Sequence, residues 1–73
     1  MSIDVKREAK EAQESAQQAA NALKYVGFYD EFQRAEANVS EKEAWDFDEK
    51  WLLVAKAYLE EALRQVESME KVH

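Results

Sequence analysis

Turn-forming residues are nearly absent from this chain, which has no proline and a single glycine in 73 residues. Since proline and glycine supply most tight turns, a β-sandwich or a β-barrel has too few turn positions here. The sequence is rich instead in Ala, Glu, Lys, Gln, Leu and Arg, which are the strongest helix formers. The chain is also too short for more than one ordinary domain. We therefore predict one all-α domain over residues 1–73.

Residues 37–43 carry a helix stop followed by a helix start. Asn38 tolerates the left-handed conformation that ends many helices. Ser40 and Glu43 have the spacing of a capping box, in which the serine oxygen accepts from the Glu43 amide and the glutamate reaches back to the Ser40 amide. These signals predict one helix over about 3–37 and a second over about 41–71.

Gly27 interrupts the first of these helices. A glycine inside a helix costs about 1 kcal/mol relative to alanine, and the apolar spacing slips after Val26. One reading is a continuous helix with a kink at this point. The other is a break that leaves a short third helix over about 28–37, with a three-helix bundle as the alternative fold.

Both long segments carry apolar residues at alternating steps of three and four, the 3.5-residue seam of paired helices. Folding the chain back at Val39 pairs Val26 with Leu52 and Ala19 with Leu59, and large residues face small ones in most layers. The sequence therefore predicts an antiparallel helical hairpin. The first seam comprises Val5, Ala9, Ala12, Ala16, Ala19, Leu23 and Val26, and the second comprises Leu52, Ala55, Leu59, Ala62, Val66, Met69 and His73.

A further apolar stripe lies beside the second seam and begins at Ala44. Together the two make an apolar arc wider than one neighbouring helix covers. Either the 28–37 segment folds across this stripe or a second copy of the chain packs there and makes a four-helix bundle. We predict a homodimer whose interface contains Phe47, Trp51, Val54 and Tyr58.

The formal net charge of −6 belongs to one stretch, because residues 30–49 hold eight acidic and two basic residues while the rest is balanced. All eight aromatic residues fall between 25 and 58, so the hairpin places charge and aromatics at the same end. Aromatic residues are enriched at interface hot spots. The predicted partner-binding residues are Phe28, Tyr29, Asp30, Glu31, Phe32, Trp45, Asp46, Phe47, Asp48 and Glu49.

Groups that carry catalysis are scarce in the sequence. There is no cysteine, and the single histidine, His73, is the last residue. Glu70 and His73 have the Glu-x-x-His spacing of di-iron bundles but no second copy of that motif. The hairpin brings Asp30 and Asp48 near one layer, where a solvated position is the simpler reading than a cation site. We expect no enzymatic activity, no metal and no cofactor.

Location and partners follow from the same composition. The first residues lack the apolar region of a secretory signal, and the longest apolar run, 51–55, is far shorter than the ~20 residues of a spanning helix. We expect a cytoplasmic protein, in the host cytoplasm if it is viral, without a membrane partner. Direct binding to nucleic acid is disfavoured, because phosphate contacts need a basic face.

These observations favour a non-enzymatic protein–protein interaction module that binds a larger protein through its acidic, aromatic end. A small regulator or inhibitor, of the kind that phages and mobile elements encode, fits this description. One alternative is a structural, self-assembling bundle without an outside partner. Another is an acidic mimic of nucleic acid that occupies a basic site on a target protein.

Overall fold

The structure is a computed structural model that describes residues 2–72, with side chains described over 5–71. This part of the chain forms three helices and no strand: α1 (Ser2–Leu23), α2 (Glu31–Ala37) and α3 (Glu41–Val72). The prediction of an all-α fold is confirmed. His73, the last member of the second seam and of the Glu-x-x-His motif, lies outside the described residues. No helix in the described range is long and apolar enough to cross a membrane.

Extensive helix packing is found between α1 and α3. Ser15 Oγ donates a hydrogen bond to Gln65 Oε1 at 3.1 Å near one end of the pair. At the other end Tyr25, just after α1, stacks on Trp51 with ring centroids 4.6 Å apart. Because later residues of the first segment meet earlier residues of α3, the two helices run antiparallel. The result is a rod with principal-axis extents of 56 × 14 × 10 Å.

The first predicted helix is broken and not merely kinked. α1 ends at Leu23, residues 24–27 form turns, and α2 begins only at Glu31. Gly27 has a φ of 79°, a left-handed conformation that glycine adopts without a Cβ penalty. The continuous-helix reading of 3–37 is therefore wrong, since turns that end at Gly27 interrupt the helix.

The stop and start signals before α3 behave nearly as predicted. Asn38 is left-handed with φ 55° and ψ 43° and ends α2, and the Glu43 amide donates to Ser40 Oγ at 3.1 Å. The Glu43 carboxylate accepts from the Ser40 hydroxyl at 3.0 Å, whereas a full capping box would use the Ser40 amide. The second helix, predicted over about 41–71, is confirmed as α3.

α2 does not act as the third member of a bundle. None of its residues is buried, and its packing on the other helices is slight compared with that of α1 on α3. The short helix instead forms part of the connection at one end of the rod, where it lies beside the first turns of α3. The alternative fold of a three-helix bundle therefore does not describe this arrangement.

The interface between α1 and α3 uses only part of each predicted seam. No large side chain is fully buried among the described residues, and the buried apolar positions are all alanines: Ala12, Ala19, Ala22, Ala44 and Ala55. Small residues let the two helix axes approach closely. Five other seam members are partly buried: Val5, Ala9, Val26, Ala62 and Met69. Five are exposed: Ala16, Leu23, Leu52, Leu59 and Val66.

The predicted pairing of Ala19 with Leu59 therefore differs from the structure, in which Ala19 is buried and Leu59 is half exposed. Three residues of the further apolar stripe, by contrast, are partly buried: Phe47, Trp51 and Val54. Two lines of residues on α3 have the same period, and the contact with α1 takes residues from both, since Ala55 belongs to the predicted second seam and Val54 to the further stripe. The pattern alone does not distinguish these two lines.

Candidate protein-interaction surface

An aromatic cluster fastens the connection after α1 to the first half of α3. Tyr25 stacks on Trp51, and Tyr29 meets Phe47 edge to face with centroids 5.1 Å apart. Phe28 packs on Tyr29 in the same way, also at 5.1 Å. Such pairs contribute about 0.5–1.5 kcal/mol beyond the area they bury. The cluster therefore holds residues 25–29 in place although they are not helical.

Two of the predicted partner-binding carboxylates stabilise the backbone of this connection. Asp48 Oδ1 accepts from the Gly27 amide at 2.8 Å. Asp30 is the N-cap of α2: its Oδ1 accepts from the Gln33 amide at 2.7 Å, and Gln33 Oε1 accepts from the Asp30 amide at 3.3 Å. The Asp-x-x-Gln spacing of this capping box is visible in the sequence, but the start of α2 at Asp30 was not predicted from it.

Two aromatic side chains lie largely in solvent beside the cluster. Phe32 on α2 is 69% exposed and Trp45 on α3 is 59% exposed. Neither takes part in the ring contacts that hold Tyr25, Phe28, Tyr29, Phe47 and Trp51 together. The fold therefore gains little from these two large side chains.

A groove of about 450 Å³ lies between α2 and the start of α3, and we call it the acidic groove. Four acidic side chains, one arginine and the indole of Trp45 contribute to its walls. Arg34 and Glu41 were not among the predicted site residues, although both lie within the acidic stretch 30–49. The lining comprises Tyr29, Asp30, Glu31, Arg34, Glu41, Ala44, Trp45 and Asp48.

The ten predicted partner-binding residues thus divide into three groups. Half of them meet in the acidic groove: Tyr29, Asp30, Glu31, Trp45 and Asp48. Phe28 and Phe47 belong to the aromatic cluster. Phe32, Asp46 and Glu49 are exposed outside the groove lining, and Asp46 pairs with Lys42 at 3.3 Å.

The predicted dimer residues pack largely within their own chain. Phe47 and Trp51 belong to the aromatic cluster. Trp51, Val54 and Tyr58 line a shallow cavity of about 290 Å³ that Tyr25 and the α1 residues Gln18, Asn21 and Ala22 close on the other side. Most of the area that they offer is therefore already covered by α1 and the turn after it.

The comparisons with known proteins give no relative. No protein-family model matches the chain, and no curated protein or solved structure is significantly similar to it. Among the described side chains of residues 5–71, no group of three or more Asp or Glu is placed to hold a metal ion.

Proposed function

We propose that this chain is a non-enzymatic interaction module that binds a larger protein through the acidic groove and the exposed aromatic residues beside it. The observation that carries the proposal is the exposure of Phe32 and Trp45 on the two helices that flank the groove. Large aromatic side chains are costly to leave in water, and their burial supplies much of the energy of protein interfaces.

The charge around these two residues indicates the chemistry of the partner. Asp30, Glu31 and Glu41 line the groove against a single base, Arg34. A complementary partner has an apolar pocket for the indole and basic residues at its rim. Opposite charge on the two surfaces raises the rate of association and selects among partners. A regulator or inhibitor of a protein with a basic functional site is the role that fits these properties.

Two competing functions make different predictions for the same surface. A mimic of nucleic acid occupies a site that also binds a polyanion, so a DNA or RNA oligonucleotide competes with it for the target. A purely structural bundle has no outside partner and does not need exposed aromatic residues at the groove. Self-association is compatible with this proposal and is not required by it.

The test compares which proteins are retained by the immobilised full chain and by two immobilised variants. The first variant combines Phe32→Ala and Trp45→Ala, and the matched control is Leu53→Ala, which removes a side chain that is 60% exposed elsewhere on α3. We expect a protein retained by the wild type and by the control to be lost with the double variant. Retention by all three would contradict the proposal, as would the absence of any specifically retained protein.

Salt and competition distinguish the mode of binding. Steering by the acidic groove predicts that Glu31→Gln with Glu41→Gln slows association at low salt and changes dissociation little. Competition by an oligonucleotide for the retained protein would favour the nucleic-acid mimic over a site specific to this chain. Before either measurement, circular dichroism checks that the variant keeps the helix content of the wild type.

A further inference from the structure

One side of the rod carries a continuous line of apolar side chains without a partner in the chain. We call it the leucine face, and on α3 it follows the acidic groove along the same side of the helix, since Trp45 precedes Leu52 by seven residues. Leu63 is 58% exposed, and the other members are between two fifths and half exposed. Leu23, Leu52, Leu59 and Leu63 surround one shallow apolar depression of about 290 Å³. The leucine face comprises Leu23, Leu52, Leu59, Leu63 and Val66.

The spacing of these residues is that of a helix interface. Leu52, Leu59 and Val66 are seven residues apart, and on α1 Ala16 precedes Leu23 by the same interval. These are the members of the predicted seams that the contact between α1 and α3 leaves uncovered. In a four-helix bundle each helix contacts two neighbours, so one set of seam positions faces each neighbour. A single pair of helices covers only the first set.

The accessible area supports the same conclusion. The chain exposes 5861 Å², whereas the relation between mass and surface for folded monomers gives about 4,600 Å² for a protein of 8.5 kDa. The excess of roughly 1,200 Å² is larger than the ~800 Å² that each partner buries in an interface of standard size. The buried alanines alone make a slight core, so a stable fold needs additional burial.

We propose that the leucine face binds the leucine face of a second copy of this chain, in antiparallel orientation, to form a four-helix bundle. The charge distribution selects this occupant and this orientation. The depression is flanked by Lys56 and Glu60, which have opposite charges and can pair across a twofold axis. The excess of acid lies in residues 30–49 at one end of the rod.

An antiparallel copy keeps these acidic ends apart. The rod is 56 Å long, and charges separated by much more than the ~8 Å Debye length at physiological ionic strength hardly interact. A parallel copy would place the two acidic ends side by side. The midpoint of the face on α3 is Leu59, so the twofold axis passes near this residue and brings the two Leu59 side chains together.

The test is sedimentation equilibrium of the full chain and of Leu59→Glu, from micromolar to millimolar concentrations. The matched control is Leu53→Glu, which makes the same change six residues away at a side chain that is somewhat more exposed than Leu59 and does not line the depression. We expect a dimer for the wild type and the control. Because the interface is symmetric, Leu59→Glu places one buried carboxylate on each chain of the dimer. We therefore expect the dissociation constant of the dimer to rise by about 100-fold or more.

Several results would overturn this proposal: a wild type that is monomeric at every concentration, an equally strong dimer for Leu59→Glu, or an equal loss with Leu53→Glu. If the wild type is monomeric and Leu59→Glu abolishes capture of an outside protein, that protein occupies the face instead. Should Leu59→Glu fail to fold, Leu63→Gln at the rim replaces it. The midpoint of thermal unfolding of the wild type then adds a second readout, since it rises with concentration only for a dimer.

The outcome is separable from that of the proposed function. Leu59→Glu changes the oligomeric state and leaves the acidic groove intact, whereas the Phe32→Ala and Trp45→Ala changes lie outside the leucine face. Loss of the dimer with partner binding retained contradicts neither proposal. Loss of partner binding in the double variant with an intact dimer isolates the groove.

Discussion

The Gly27 amide donates a hydrogen bond to Asp48 Oδ1 at 2.8 Å and thereby joins the turn after α1 to α3, 21 residues further along the chain. This bond and the aromatic cluster beside it hold the connection between α1 and α2 against α3. Asp48 is half-buried, whereas the neighbouring acids Asp46 and Glu49 are exposed. One carboxylate of an acidic run therefore has a structural role that its neighbours lack.

Replacing that carboxylate should lower stability. We expect Asp48→Ala to reduce the free energy of unfolding by about 1 kcal/mol, since a partly solvated hydrogen bond to a charged group is lost. The control is Asp46→Ala, which removes only an exposed pair with Lys42 and should cost no more than about 0.5 kcal/mol. Urea unfolding followed by circular dichroism, at one fixed protein concentration, measures both. Equal effects would mean that the bond to Gly27 contributes nothing.

The sign of the change in the free energy of unfolding caused by Gly27→Ala distinguishes a break between two helices from a kink in one continuous helix. At a φ of 79° an alanine is strained by about 1–2 kcal/mol, although no atom lies within 4 Å of the added Cβ. We therefore expect a lower free energy of unfolding. In a continuous helix the same change would raise it by about 1 kcal/mol. Asn38→Gly, at the left-handed end of α2, is the counterpart and should be neutral or slightly stabilising.

The two tryptophans should respond differently to truncation. Trp51→Ala removes the ring stacked on Tyr25 and should cost about 2 kcal/mol, less than for a fully buried ring. Trp45→Ala should stay within about 0.5 kcal/mol, because that side chain lies in solvent.

Trp51→Phe tests the basis of that cost. The indole Nε1 of Trp51 is buried and has no hydrogen-bond partner among the described residues, so phenylalanine loses packing area but no hydrogen bond. We expect it to recover more than half of the Trp51→Ala loss in the same urea titration. A Trp51→Phe effect as large as that of Trp51→Ala would show that the indole N–H contributes an interaction of its own.

The start of α3 depends on one hydroxyl. Ser40→Ala removes the acceptor of the Glu43 amide and should cost about 1 kcal/mol, the usual contribution of an N-cap. Ser68→Ala is the control within the same helix and should be neutral or slightly favourable, since alanine is the better helix former. Both changes are measured by thermal unfolding at matched concentration. A neutral Ser40→Ala would mean that packing alone fixes the start of this helix.

Local signals in the sequence were sufficient for the boundary before α3 but not for the break at Gly27 or for the contacts between helices. Asn38, Ser40 and Glu43 predict the end of one helix and the start of the next, because capping depends on residues within one turn. The density of acid in 30–49 predicts Asp30 as part of a binding surface, and its capping-box spacing with Gln33 was not recognised. The same side chain now lines the groove and caps α2.

The assignment of faces failed for a different physical reason. A 3.5-residue period shows which positions face other helices, but it does not show which neighbour each position meets. Leu59 was expected opposite Ala19, on the assumption that large side chains fill the space between α1 and α3. The alanines instead allow a close contact between these helices, and the leucines remain outside it. The chain thus has two interface-like faces, of which its own fold covers one.

The most direct test of the antiparallel dimer is an interchain distance from a single spin label, which the absence of native cysteine makes simple. Lys42→Cys places the label at the exposed start of α3, 17 residues from Leu59. At 1.5 Å per residue, an antiparallel dimer centred on Leu59 separates the two labels by about 50 Å along the rod. A distance near this value would support the proposed dimer. A short distance of about 20 Å or less, as for parallel helices packed side by side, would contradict it, as would the absence of any interchain distance at millimolar concentration.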